Sequence, residues 1–341
     1  FTWTTQDKAN PDHTANSGTV FGLLPHQYNP TQMASVVAAP TNSSYRTIRG
    51  NMKLVSGTSF ALRLPKPQTL PYLPLQTLNS NDTQTIIGHL NNEATALLTH
   101  RTDGSNRIGT ASDTYWHGKE LHRVSELIHI ADQLGQTSIK ERALDHLQSD
   151  LTSWLDGTYN HGFIYNPQWG MVLGRPDSYG TISELNDTHF HFGYFIEGAS
   201  TLKMHRPTIT NIVAPVNAMI HSLINYDNDP HFGLSSFRQF RPYEGFSCAS
   251  GHSNFGDGCN HESSSEAMNA WSSTLLWSHL TENSDLLQRT RQVYQSEYSS
   301  IAEYYFYHKV DQPAFAGTGY AHPVVGMVWD SKYDYATWFG A

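Results

Sequence analysis

Two short stretches of this 341-residue chain set carboxylates among aromatic side chains. In the first, Glu184-Leu185-Asn186-Asp187-Thr188-His189-Phe190-His191-Phe192-Gly193-Tyr194, an acidic residue stands where a helix is expected to begin. A helix starting there puts Asp187, His191 and Tyr194 on one face, because side chains three and four apart lie above one another. The competing local reading makes Asp187 a plain N-cap whose carboxylate accepts a backbone N–H, which lowers its pKa and spoils it as an acid. In the second stretch, Asn260 to Trp271, Glu262 and Glu266 lead into another helix. Ser263-x-x-Glu266 has the form of a capping box, in which Glu266 reaches back to a backbone N–H. Glu262, just outside that helix, is then left to face a cleft. Two carboxylates on separate elements are the minimum for breaking a glycosidic bond with acid and base assistance.

A zinc site is the alternative for the same residues, with His189, His191, His252, His261 and Glu262 as ligands. Their spacing matches no H-E-x-x-H pattern, and nineteen histidines make chance clusters common. Aromatics near the carboxylates include Tyr165, Trp169, Tyr179, Phe192, Tyr194, Tyr243 and Phe246, of which the larger part is expected in the core and the rest along a cleft.

The rest of the composition narrows the partner. The formal net charge is −9 and no long Lys/Arg run occurs, so neither nucleic acid nor an anionic membrane is an expected partner. A neutral substrate fits better. No apolar run approaches the roughly 20 residues that span a bilayer, and the first residues lack a signal-peptide pattern, so any signal is expected to have been removed. Charged residues are only 15% of the chain, a profile that suits a secreted protein. The two cysteines, Cys248 and Cys259, share one Gly/Ser-rich loop, where a disulfide is expected.

The elements that must position these residues change character along the chain. To about residue 75 the sequence is rich in Pro, Gly, Thr and Asn, with strands at Tyr45–Ile48 and Ser59–Leu64 and turns at Gly50 and Ser56-Gly57-Thr58. Pro65, Pro67, Pro71 and Pro74 make a linker. Beyond it the apolar spacing is helical: Ile86 to Leu97, Leu121 to Leu134, Ala143 to Trp154, then about 189–205, 212–226, 264–281 and 284–308. Helical hairpins separated by long loops predict an α/α barrel with its site at the loop end. The expected division is 1–75, a β-rich segment with linker, and 76–341, a mainly α catalytic domain.

At these same residues the chain resembles glycoside hydrolase family 81, the endo-β-1,3-glucanases. The matching segments are Glu184–Phe195 (ELNDTHFHFGYF), Phe237–Gly251 (FRQFRPYEGFSCASG), Gly258–Trp271 (GCNHESSSEAMNAW) and Lys332–Phe339 (KYDYATWF), with Leu24–Gln27 and Asp113–Lys119 upstream. The resemblance implies an (α/α)6 barrel after a β-sandwich, and inverting hydrolysis of internal β-1,3 bonds in laminarin-like or fungal-wall glucan with no metal or organic cofactor. It implies Asp187 as general acid and Glu262 as general base, with Glu266 as rival or supporting carboxylate. His191, Tyr194, Trp169, Tyr243 and Tyr335 are the expected substrate contacts. Thr188, Phe246, Cys248, Arg241 and His261 depart from the family's usual residues. About seven helical stretches are legible, fewer than the full barrel holds, so an incomplete or shortened barrel is expected. A secreted monomer, extracellular or in the cell wall, completes the expectation, and a glucan-binding relative without turnover is the alternative.

Overall fold

A computed structural model describes residues 19–28, 33–47, 49–64, 66–67, 70–74, 76–158, 161–233, 236–256, 258–306, 322 and 324–330. The chain forms two compact units, one of Phe1–Pro67, Tyr243–Phe246 and Gln295–Val328, the other of Gln68–Pro242, Ser247–Tyr294 and Trp329–Ala341.

In the first unit β1 (Thr19–Leu23), the helical turn α1 (Pro25–Tyr28), β2 (Met33–Thr47) and β3 (Gly50–Leu62) follow in order. The strands form an antiparallel sheet in the order β1-β3-β2. Alternation along β1 sends Phe21 and Leu23 to one face, where they join Val55 and Phe60 in a small core. Ser56-Gly57-Thr58, expected as a turn, lies inside β3 instead: Gly57 pairs with Thr19 on one side and Ala38 on the other. A register shift between Val36 and Ala38 sits opposite it, so the glycine marks a bulge rather than a chain reversal.

The second unit is helical. Its helices are α2 (Ser80–Leu97), α3 (Thr114–Gln133), α4 (Thr137–Leu155), α5 (Thr188–His205), α6 (Val213–Leu223) and α7 (Ser264–Leu280), and α8 is Ser284–Tyr304. Two hairpins interrupt them, β4 (Leu98–His100) with β5 (Asn106–Ile108) and β6 (Gly162–Asn166) with β7 (Met171–Arg175). The apolar spacing locates these helices closely, whereas the hairpins carry too few residues to show a period of two. Among the described residues no helix is long and apolar enough to cross a membrane.

The helix that carries the first candidate carboxylate is the centre of the packing. Fourteen of the eighteen residues of α5 are buried, so it has apolar neighbours on nearly every side. It packs on α3 and α7, with Phe192, Phe195, Ile196 and Ala199 joining Leu121, Ile128, Leu147 and Trp271 in one core. Two glycines set how closely these helices approach. A Cβ on Gly193 would stand 2.8 Å from the Ala270 Cβ, and one on Gly118 would stand 2.9 Å from the Tyr194 Cβ. Both distances are below real contacts, so α3, α5 and α7 need glycine there to bring their second turns together. Behind α3, Asp150 holds His117 Nε2 at 2.6 Å and Arg101 at 2.6 Å. Burial disfavours the His117 cation, yet Asp150 and Glu120 raise its pKa, a buried ion network that fixes α3 against α4.

Candidate active site

Asp187 occupies the N-cap position of α5 but does not cap it. Its backbone is left-handed, φ 53° and ψ 13°, and its side chain makes no capping hydrogen bond. The backbone N–H of Asp187 donates to the Ala249 carbonyl at 2.7 Å. The carboxyl group is buried, with Oδ1 lacking a hydrogen-bond partner. Burial, then the charges of Glu262 and Glu266, then a hydrogen bond shared with Glu262, push its pKa well above the usual carboxylate range. The capping interpretation of Asp187 is therefore overturned: the turn aims the side chain at other carboxylates, not at the helix N–H groups.

Glu262 lies between the strand Cys259–His261 and Ser263, the N-cap of α7. Burial first, and the Glu266 charge second, push its pKa up to about 7, while the hydrogen bond from Asp187 pulls the other way. Its Oε2 is buried without a hydrogen-bond partner. Glu266 sits one turn on. Only half of the expected capping box forms: Ser263 Oγ accepts from the Glu266 N–H at 3.4 Å. The Glu266 carboxylate instead accepts the Tyr194 hydroxyl at 2.7 Å, with Lys119 Nζ 4.0 Å away. A carboxylate that can choose a phenol and an ammonium gains more than from one peptide N–H.

Around the three carboxyls stands an aromatic and polar wall. Asp113 caps α3 through the N–H groups of Tyr115 and Trp116, both at 2.9 Å, fixing the turn that presents them. The Tyr115 ring lies 5.2 Å from His191, 5.4 Å from Tyr179 and 6.4 Å from Tyr194. Burial and the Glu266 charge raise the hydroxyl pKa of Tyr115. Trp116 and Tyr179 are exposed, and the indole N–H donates to the Tyr179 hydroxyl at 2.8 Å. Such paired, open aromatic faces suit the apolar faces of sugar rings. His191 is held through Nδ1 by the Thr114 hydroxyl at 2.7 Å, and burial lowers its pKa to about 3, so the ring is neutral.

Of the expected site residues, the structure gathers Asp187, Glu262, Glu266, His191 and Tyr194. Trp169 is exposed on the turn between β6 and β7. Tyr243 belongs to the first unit, where its ring packs 6.0 Å from Phe60 and its hydroxyl donates to the Gly22 carbonyl. Tyr335 lies outside the described residues. Tyr115, Trp116 and Lys119 were not singled out from the sequence, although their segment matched the family. Their signal was the α3 cap at Asp113, which reads as helix punctuation when taken alone.

Among the described residues, no three or more His, Cys, Asp or Glu side chains stand where they could hold a metal ion. Both ring nitrogens of His189 are buried without hydrogen-bond partners, and burial, then His261 and Arg238, hold its pKa well below the usual value. His252 faces Glu184 instead, at 3.4 Å.

Thr188, Arg241, Phe246 and Cys248, which depart from the family pattern, are each engaged. Thr188 donates its hydroxyl to the Leu185 carbonyl at 2.8 Å. Arg241 pairs with Asp330 at 2.6 Å, and the Arg49 guanidinium lies 4.7 Å from the centre of the buried Phe246 ring. Cys248 is bonded to Cys259, with Cα atoms 5.6 Å apart, inside the usual range for a disulfide. Titration of the unfolded, unreduced chain is accordingly expected to find no free thiol; two reactive thiols would contradict the bridge.

The chain is similar to known proteins over most of its length. Residues 78–341 match the sequence model of the glycosyl hydrolase family 81 C-terminal domain. A glucan endo-1,3-beta-D-glucosidase of Acetivibrio thermocellus is 36% identical over 95% of this chain and 40% of its own length. One of Thermobifida fusca is 35% identical over 94% of this chain and 41% of its own length. The solved structure of a glycoside hydrolase family 81 protein from Clostridium thermocellum superposes with a TM-score of 0.79 at 34% identity, covering 93% of this chain and 42% of that one. The chain thus spans about two-fifths of the length of these relatives. With its helical architecture matched at that identity and its family segment continuous from residue 78, the chain belongs to glycoside hydrolase family 81.

Proposed function

We propose that the chain hydrolyses internal β-1,3-glucosidic bonds of laminarin-like or fungal-wall β-glucan with inversion at the anomeric carbon, residues 76–341 forming the catalytic domain. The observation that carries this reading is the buried contact of Asp187 with Glu262 beside Glu266, which keeps a proton on a carboxylic acid at neutral pH. Asp187 is the acid that protonates the departing glycosidic oxygen. Glu262 is the base that takes a proton from the attacking water. Its unpartnered Oε2 can accept that water, whereas Glu266 Oε1 is already committed to Tyr194.

Inverting pairs stand roughly 6.5–9.5 Å apart to admit a water. In the resting site the two carboxyls act on one another directly, and the sugar and its water would enter between them on binding. His191, Tyr194 and Trp169 are the proposed glucan contacts of the helical unit, joined by Tyr115, Trp116 and Tyr179. The names of the two bacterial relatives support the bond specificity. The disulfide supports a secreted, extracellular or cell-wall setting.

Laminarin incubated with the chain is expected to yield new reducing ends, with the α-anomer appearing first in proton NMR of early products. Initial β-anomer would refute inversion. Retention of glucan with no reducing ends would instead mark a binding relative without turnover.

A further inference from the structure

The proposed acid hangs from a turn that the local chain does not favour. Leu185 and Asp187 both adopt φ 53°, a left-handed conformation that costs a branched-chain residue such as leucine on the order of 1 kcal/mol or more. Something outside the turn has to hold it. Two donors converge on the Leu185 carbonyl: Thr188 Oγ1 at 2.8 Å and Arg238 Nη2 at 2.5 Å. The same Arg238 nitrogen donates to the Ser250 carbonyl at 3.0 Å. Ser250 follows Ala249, whose carbonyl accepts both the Asp187 N–H at 2.7 Å and Gln239 Nε2 at 3.1 Å. Cys248 N–H donates to the Gln239 carbonyl at 2.6 Å, and the disulfide ties Cys248 to the strand that precedes Glu262. The arginine thus bridges the acid's turn and the disulfide loop through two backbone carbonyls.

We infer that Arg238 is a positioning residue for general acid catalysis, clamping the Leu185–Asp187 turn onto the Cys248–Ser250 segment so that the Asp187 carboxyl points at the glycosidic oxygen. Burial lowers the guanidinium pKa only to about 10, so the clamp stays charged through neutral pH. The charges that act on the Asp187 carboxyl are those of Glu262 and Glu266, which leaves Arg238 the turn's backbone to work on. Both bonds come from the single nitrogen Nη2, so a lysine ammonium could donate to the same two carbonyls but on a shorter stem, which makes it a partial substitute.

The inference rests on the glucanase reading, and two substrates separate its failure from that of the reading. Arg238→Met and Arg238→Lys, each checked by circular dichroism and melting temperature, are assayed on laminarin and on a 2,4-dinitrophenyl β-1,3-oligoglucoside, whose leaving group needs little protonation. A misplaced acid should cost kcat on laminarin about 100-fold in the methionine variant. KM and the dinitrophenyl reaction should change little. Arg238→Lys should show the same split with a smaller loss. Equal losses on both substrates in a folded variant, or no loss at all, would overturn the positioning role. If Arg238→Met does not fold, the split or its absence in Arg238→Lys decides. A wild-type chain that cleaves neither substrate would sink the glucanase reading itself, and with it the acid that Arg238 is said to position.

Discussion

Asp187→Asn is expected to lower laminarin turnover by about three orders of magnitude while making the protein more stable at neutral pH. The loss follows from the leaving group: a sugar alkoxide must be protonated as it departs, and asparagine has no proton to give. A dinitrophenyl glucoside leaves without that help, so its hydrolysis should suffer far less. The gain in stability follows from linkage. The Asp187 pKa in the fold is raised well above its ordinary 3.8 by burial, then Glu262 and Glu266. A group whose folded pKa is raised has its full stability below the unfolded pKa and loses it as pH climbs through the folded one. The native protein should therefore weaken from about pH 4 upward relative to the asparagine variant. A difference scan of melting temperature against pH tests this, the variant gaining about 3 °C at neutral pH and nothing under acid conditions. A variant less stable than wild type at neutral pH would show that the carboxyl is not held against its neighbours as described.

Glu262→Gln and Glu266→Gln should fail in different ways. Without Glu262 no group accepts the proton of the attacking water, so both substrates should slow by about three orders of magnitude. Azide needs no deprotonation and should restore part of the dinitrophenyl reaction, giving an α-glycosyl azide. Glutamine at 266 still offers an acceptor to the Tyr194 hydroxyl, and Ser263 still caps the helix through the backbone N–H of that residue. What it removes is a charge that raises the pKa of both Glu262 and Asp187. Its activity loss should be the smaller, and its pH profile should move to lower pH on both limbs. The macroscopic values belong to the coupled group rather than to single residues, so the direction of the move is the test. A folded Glu266→Gln that is dead beside an active Glu262→Gln would transfer the base role to Glu266.

How much of this was legible before folding depends on the range of the interaction. The helices from Ser80 onward announce themselves because a 3.6-residue period repeats over many residues, and each apolar position reports the same buried face. The hairpins β4–β5 and β6–β7 did not, since strands of three to five residues show no period against the background. Gly57 reads as a turn residue in the sequence because glycine serves turns and bulges alike, and only the pairing on both sides of β3 tells them apart.

The sequence by itself determined which residues are candidates for the chemistry: the carboxylates at 187, 262 and 266, the aromatics beside them, and the two cysteines in one loop are matters of residue type and near spacing. Their protonation was decided only by tertiary structure. A carboxylate at a helix N-terminus is ordinarily stabilised as an anion, and the segment around Asp187 gives no local sign to the contrary. Its pKa is raised because the fold brings Glu262, just ahead of α7, and Glu266, on α7, against it out of water across dozens of intervening residues, while Ala249 and Arg238 hold its left-handed turn. Charge repulsion and desolvation act through space and not along the chain, so no reading of neighbours in sequence could have assigned the proton to Asp187 or the clamp to Arg238.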